Sequence, residues 1–453
     1  MKFNNLASAF SYIEAFTNFE KITPQSVRDF KHDRMYSLFD FFDHPERGMK
    51  LIHIAGSKGK GSTGIFLASM LAALGYNTGL YTSPHVISYR ERITRAGEFF
   101  SDELYKEAIE SIADLLESGK GRNLAGDDKE PTTFELLTLL AFLVFRAGGC
   151  THAVIETGIG GRLDATNVIT PEACVITPIE LEHTDILGTI LEEIASKKAG
   201  IIKEGVPVFS AYQTDTAAAV LRNTAENRNA PITFLEDEIE HLETRPASKH
   251  ATGKSDTGKE IHTVTASHMS LRWKNGDVLQ SDLSMFGDFQ GENAALAVCT
   301  VRHMGLIPEG KVPPGLQNAV LPGRMELVAS SPPLILDGAH TPSSLRRLCR
   351  TFWDSFSDEG ICIYGNVSGK RTDEMARIAA PYFRHIIVST PGSFKKSEPR
   401  AVYEAVRKHH SSVFFCPEPM DALEQAKRLS GESVPILVTG SFYMIGEIKK
   451  LFP

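Results

Sequence analysis

The chain has no CxxC pair. Its six cysteines, at positions 150, 174, 299, 349, 362 and 416, are scattered. Such spacing argues against a thiolate metal site and fits reduced thiols in a cytoplasmic protein. There is no surplus of positive charge: Lys and Arg number 48 against 56 Asp and Glu, a formal net charge of −8. This argues against a nucleic-acid partner, which needs a basic surface to displace counterions, and any anionic substrate must meet a local positive pocket. No apolar run is long enough for a membrane. The longest, Leu136 to Phe145 with only Thr138 polar, is about half of a span and reads as a buried helix. Asn4, Asn5, Glu14 and Glu20 interrupt every early apolar run, so no signal-peptide core is expected there. No solenoid-length repeat is present.

What is there is ordinary globular material, 42% hydrophobic and 23% charged over 453 residues. That rules out wholesale disorder and exceeds one domain of roughly 100 to 200 residues. Short β-branched runs at Leu51–Ile54, Ala153–Glu156, Ala173–Thr177 and Val206–Phe209 alternate with helical patterns, which predicts a parallel sheet with helices on both faces. A second alternation, Leu334–Leu336, Ile361–Tyr364, Ile386–Ser389, Val413–Phe415 and Ile436–Val438, predicts a smaller, Rossmann-like doubly wound unit. The fold class is thus α/β. A nucleotide-binding domain over 1–321, a Pro- and Gly-rich hinge over 322–333 and a C-terminal domain over 334–453 are expected. The polar stretch from Glu236 to Ser267 reads as an exposed excursion or hairpin.

The segment Ile54-Ala55-Gly56-Ser57-Lys58-Gly59-Lys60-Gly61-Ser62-Thr63 lies between a strand and an alanine-rich helix. Strand, glycine loop and helix cradle phosphate: glycines let backbone N–H groups approach an anion, and the helix start adds partial positive charge. Lys60 can reach the terminal phosphates. The spacing departs from GxxxxGK(S/T), because Gly61 separates Lys60 from Ser62. Farther on, Glu156 ends a buried strand, where a hard oxygen ligand could hold Mg²⁺ beside nucleotide phosphates. On residue chemistry alone, other candidates have plainer readings: Asp164 as a helix cap, Asn293 as an N-cap, His183 as a surface residue and Lys197-Lys198 as a solvated helix face.

Longer matches change that weighting. The loop is similar to GTNGKGS, with Ser57 and Lys58 replacing Thr and Asn. Thr82-Ser83-Pro84-His85 is similar to TSPH, and Ile155 to Asn167 to EVGLGGRLDATN. Glu182-His183-Thr184-Asp185 and Ile194 to Ile201 follow a DHT and EKAGI pattern, with Lys197 in place of Glu. Gly287 to Ala297, Pro322 to Glu326, Leu336 to Pro342 (Thr341 in place of Asn) and Thr439 to Tyr443 continue the likeness to the end of the chain. Together these segments resemble the folylpolyglutamate synthase and dihydrofolate synthase family of the Mur ligase superfamily.

The resemblance implies an ATP-dependent ligase that adds L-glutamate to a folate or to dihydropteroate. It implies ATP contacts from Gly56, Ser57, Lys58, Gly59, Lys60, Gly61 and Ser62 and, across the cleft, from Asn293, Arg324, Asp337 and His340. Two Mg²⁺ ions would be held by Ser83, Glu156, His183 and Lys198, the last as a carbamate, which requires a lysine that can lose its proton. Lys60, Glu156, His183 and Lys198 would carry the chemistry. Pterin contacts are implied at Phe30, Arg34, Thr132, Thr133, Phe134, Glu135, Leu163, Asp164 and Ala165, although Phe30 and Phe134 read equally well as core aromatics. A monomer without membrane association is expected. Two rivals remain: another Mur-type amino-acid ligase, for which the roughly fifty residues before the loop leave little room for a UDP-binding domain, and a nucleotide-binding regulator without catalysis.

Overall fold

The computed structural model describes all residues except 19–31, 120–129, 248–265, 308–312, 358, 369–370, 393–394 and 453. Three sheets organise it. The first has the order β4-β3-β2-β5-β1-β6-β7-β8, with β1 Lys50–Ala55, β2 Thr78–Tyr81, β3 Ile93–Arg95, β4 Glu98–Phe99, β5 His152–Glu156, β6 Ala173–Ile176, β7 Val208–Ser210 and β8 Ile232–Phe234. All six strands from β2 across to β8 run parallel, and β3 and β4 add an antiparallel margin. Continuous apolar runs suit this sheet because helices cover both its faces. Of the β1 residues, only Lys50 is exposed.

β1 sits between β5 and β6, with Ile54 level with Glu156 on one side and Ala55 level with Ile176 on the other. Consequently the loops after β1, β5 and β6 leave the same edge of the sheet, where open α/β sheets place their ligands. The helix Lys60–Ala73 is apolar on nearly every side, because it lies between this sheet and the helix Asp288–His303. Leu136–Phe145, expected as a buried helix, falls within the helix Thr133–Ala147, and nearly all of it is buried. That helix begins with a capping box: the Glu135 N–H donates to Thr132 Oγ1 at 3.2 Å, and Glu135 Oε2 accepts the Thr132 N–H at 2.7 Å.

The second sheet is antiparallel, β11-β10-β9, from β9 Ile239–Pro246, β10 Ser267–Trp273 and β11 Val278–Leu283. Of the polar stretch from Glu236 to Ser267, residues 248–265 lie outside the described residues; the part that is described supplies β9, which pairs antiparallel with β10, and this sheet is not merely an exposed excursion. β10 alternates buried and solvent-facing residues, and its Met269, Leu271 and Trp273 join the same core as Ile52, Phe66 and Leu296. The third sheet, β12-β13-β17-β14-β15-β16, comprises β12 Glu326–Ser330, β13 Pro333–Leu336, β14 Gly360–Tyr364, β15 Phe383–Val388, β16 Val413–Phe415 and β17 Ile436–Thr439. It is parallel apart from the edge strand β12, which is drawn from the Pro- and Gly-rich stretch and continues the sheet rather than remaining extended linker.

If the second sheet contributes to the main core, Leu271→Ala should lower unfolding free energy by about 2–5 kcal/mol through a cavity in the core it shares with the helix Asp288–His303. Urea denaturation reads this, and a loss below about 0.5 kcal/mol, as at a surface site, would make the sheet an appendage.

Candidate active site

A cavity of about 1140 Å³ opens at the edge where β1, β5 and β6 end, and the segments around Arg324 and Asp337 to Ser344 close its far side. The phosphate loop forms its floor. Gly59 caps the helix Lys60–Ala73 with φ 85°, and a Cβ there would collide with Asn293 Oδ1, so only glycine fits. The Ser57 and Lys58 N–H groups donate to the Pro178 carbonyl at 2.9 and 3.3 Å. The first intrahelical bond runs from the Thr63 N–H to Gly59 O, which leaves the N–H groups of Lys60, Gly61 and Ser62 for an anion.

Lys60 Nζ donates to Gly56 O at 3.2 Å and stands 3.9 Å from Glu156 Oε1. Glu156 is 4% exposed, and its Oε2 accepts the Ser83 N–H at 3.1 Å. Burial raises its pKa, against the opposing pull of Lys60, Ser83, Arg324 and Arg92. Lys198 is 1% exposed and donates to Gly56 O at 2.6 Å and to Glu182 Oε1 at 2.8 Å. It is therefore not a residue of a solvated helix face. Burial, aided by repulsion from Lys60 and Lys58 and opposed by Glu182, brings its pKa down to about 8. Burial would raise Glu182, but Lys198, Lys60 and Lys58 outweigh it and hold the carboxyl at about 2. Glu182, adjacent to His183 in one motif, carries no expected role; its significance lies in the contact with Lys198, 16 residues away in sequence.

His183 is exposed and adopts φ 45° at the start of the short helix Thr184–Leu187. It lines the cavity, as does Ser83. Among the described residues no three His, Cys, Asp or Glu side chains gather as a metal cluster. Mg²⁺ does not need one: it commonly takes one or two carboxylates and completes its shell with phosphate oxygens and water. Glu156 beside Ser83 fits that requirement. Lys198 as a free amine does not offer an oxygen ligand, and its nitrogen is engaged with Gly56 and Glu182.

Across the cavity, Asp337 closes β13 and accepts the Met325 and Ala339 N–H groups at 3.0 and 2.8 Å, thereby fixing the Arg324 segment. The Arg324 guanidinium lies 4.4 Å from the Phe442 ring centre, a stacked arrangement that leaves its edge available for phosphate. His340 Nδ1 is 2.8 Å from Gly338 O. Asn293 lies within the helix Asp288–His303, whose N-cap is Gly287, so it is not an N-cap; its Oδ1 accepts from Thr63 Oγ1 at 3.4 Å.

On the other wall, Thr132, Phe134, Glu135, Leu163, Asp164 and Ala165 reach the cavity. Arg34 stands behind it in a buried pair with Glu135, 3.0 Å from Oε1. Thr133 donates to Ile13 O and Phe16 O and pins the N-terminal helix. Phe30 lies outside the described residues. Asp164 does cap the turn Ala165–Val168, as its residue chemistry suggested, and does more. Its Oδ2 accepts the Gly158 and Ile159 N–H groups at 2.9 and 3.0 Å, and Oδ1 accepts from the Thr166 N–H and hydroxyl at 3.1 and 2.6 Å. Because Thr166 Oγ1 spends its hydrogen on Asp164, it accepts at 2.8 Å from His53 Nε2, a residue buried inside β1 that sequence reasoning missed.

Residues 54–301 match the family described as Mur ligase middle domain, and residues 323–442 match Mur ligase, glutamate ligase domain. Fold and site together define an ATP-dependent ligase of the Mur type. The dihydrofolate synthase/folylpolyglutamate synthase of Bacillus subtilis (strain 168) is 32% identical over 92% of this chain and 94% of its own. A solved Mycobacterium tuberculosis folylpolyglutamate synthase complexed with ADP superposes with a TM-score of 0.83 at 27% identity, covering 99% of this chain and 98% of that one. An FPGS–AMPPCP–folate complex gives 0.75 at 26% identity and covers 99% of both chains. The chain belongs to the folylpolyglutamate synthase and dihydrofolate synthase family.

The buried His53 generates a pH test. Burial, with a smaller contribution from Lys203, lowers its pKa from 6.5 to about 3. The unfolded chain thus takes up this proton first as pH falls, and stability present above 6.5 is lost progressively toward 3. His53→Gln should flatten this limb by up to about 1.4 kcal/mol per pH unit relative to the parent protein. Identical slopes in urea melts from pH 7 to 4 would show that the imidazole titrates alike in the folded and the unfolded chain.

Proposed function

We propose that the chain uses ATP to join the amine of L-glutamate to a carboxylate of a folate or of dihydropteroate. The observation that carries this reading is Glu156 facing Lys60 at 3.9 Å on the floor of a cavity shared by both halves of the chain. The folate complex among the solved relatives and the double name of the Bacillus subtilis relative support the substrate class. All six cysteines are free, five of them buried, in keeping with a cytoplasmic enzyme. Among the described residues no helix is long and apolar enough to cross a membrane. The hinge is read over 322–333, between the nucleotide-binding residues 1–321 and the unit 334–453, and the enzyme is read as a monomer.

In the proposed reaction a carboxylate oxygen of the pterin substrate attacks the γ-phosphorus of ATP, and ADP leaves. This activation is needed because a carboxylate is a poor electrophile. The glutamate nitrogen then attacks the acyl phosphate carbon, and the tetrahedral intermediate expels inorganic phosphate as the amide forms. Lys60, the first-turn N–H groups and Arg324 stabilise charge on the transferring phosphoryl group. Gly56 to Ser62, Asn293, Asp337 and His340 position the nucleotide, while Leu163, Asp164, Ala165, Thr132, Phe134 and Glu135 line the pterin side, with Thr133 supporting that wall from behind. Glu156 with Ser83 would hold Mg²⁺, which neutralises phosphate charge when bound. His183 and a carbamylated Lys198 are proposed for a second ion. The lowered pKa of Lys198 makes the neutral amine accessible, and carbamylation would require its ties to Gly56 and Glu182 to loosen.

The test supplies purified protein with MgATP, L-glutamate and either tetrahydrofolate or dihydropteroate. Phosphate release that needs both glutamate and a pterin is expected, with product heavier by one glutamyl residue. Release without a pterin would overturn the substrate class. Glu156→Gln should reduce kcat by about a hundredfold or more, and undiminished turnover would remove it from the metal site.

A further inference from the structure

Beside the cavity, next to the lining residues Leu181 and Glu182, stands a carboxylate to which the mechanism gives no role. Glu180 follows β6, and its backbone is stitched to the phosphate loop: its N–H donates to Ser57 Oγ, and its carbonyl accepts from that hydroxyl, both at 3.0 Å. Its side chain points the other way. Oε2 accepts from Ser343 Oγ at 2.7 Å and Oε1 from the Arg347 guanidinium at 3.2 Å. Both donors belong to the helix Pro342–Ser355, which has no acidic residue in its own first turn. Residues four apart lie on one helix face, and the carboxylate meets that face at the end where unpaired N–H groups and partial positive charge favour an anion. The same helix directly follows the segment that carries Asp337 and His340.

We propose that Glu180 is a positioning residue that sets the register between the phosphate loop and the Asp337–His340 segment, holding the cleft closed while the acyl phosphate exists. This rests on the ligase reading above, in which an activated acyl group must be kept from water. A generic surface ion pair would contribute little. Glu180 differs because its backbone and side chain belong to two different contacts, so that a shift of the helix is transmitted to Ser57 through one residue.

Charge exchange separates positioning from general structure. Glu180→Arg should lower kcat about tenfold and raise the ATP consumed per amide bond formed, since misplacement across the cleft slows transfer and admits water. Arg347→Glu should do the same. The double variant Glu180→Arg/Arg347→Glu should recover to within about threefold of the parent, an outcome expected only if the two charges act on each other. Unchanged kcat and stoichiometry in Glu180→Arg, or a double variant no better than the poorer single one, would overturn the proposal. Small-angle scattering on the ligand-free proteins keeps this apart from the substrate question. A larger radius of gyration is expected for Glu180→Arg and a parental one for the double variant. An unchanged radius in Glu180→Arg overturns the latch whatever the substrate is. A radius that grows in an enzyme that glutamylates no pterin upholds the latch and overturns the substrate reading.

Discussion

Three lysines crowd two carboxylates around the end of β1. Gly56 O accepts from both Lys60 and Lys198, Lys198 shares Glu182 with the fields of Lys60 and Lys58, and Glu156 faces Lys60. Two unit charges 4 Å apart interact by about 4 kcal/mol at the effective dielectric of a protein surface. Leaving cationic charge uncompensated in such a place is therefore costly. The depressed pKa of Lys198 records that cost directly, since burial and its cationic neighbours prevail over its own salt bridge. A triphosphate is the kind of ligand that relieves the imbalance. A chain of net charge −8 thus still presents an anion site, because the positive groups are concentrated where the sheet ends.

That concentration follows from topology. β1 is the central partner of β5 and β6, so the loops carrying Gly56 to Gly59, Thr157 to Asp164 and Thr177 to Glu182 emerge side by side although they lie far apart in sequence. A parallel sheet buried on both faces fixes strand register strongly, because slipping by one residue would turn side chains to the wrong face. Register is what sets Glu156 level with Ile54 and brings its carboxylate to the lysine that follows the loop.

The strands were legible wherever burial on both faces produced continuous β-branched runs: five C-terminal runs and four N-terminal ones lie on observed strands, with ends displaced by at most three residues. The antiparallel sheet around Leu271 was harder to see. Its strands are half exposed and alternate with polar residues, and the composition around them is that of a loop. Single residues divided in the same way. Lys60 and Glu156 declared themselves through position, at a glycine loop and at a strand end. Glu182, Glu180, Thr166 and His53 did not, because their significance lies in contacts with residues distant in sequence. Arg34 and Thr133 share motif neighbourhoods with cavity residues, yet side-chain direction turns them into the support behind the wall.

The loop from Glu156 to Asp164 shows how one wall can serve two ligands. A buried carboxylate fixes each end: Glu156 to the Ser83 N–H, and Asp164 to the loop's own Gly158 and Ile159 N–H groups. Neither acid is favoured by its surroundings, as burial raises both pKa values. Donors that cannot move away, backbone N–H groups above all, oppose that shift by favouring the charged form. A loop held at both ends resists the flexing that glycine would otherwise allow. In the proposed reaction the nucleotide is gripped near one end and the pterin near the other, so the rigidity of this short span determines whether the attacking carboxylate and the γ-phosphorus meet in line. The Thr166 hydroxyl and the His53 imidazole behind it complete that rigidity from within the sheet. This accounts for a histidine in an otherwise apolar strand, where an isoleucine would pack as well but would leave the Thr166 oxygen without its donor.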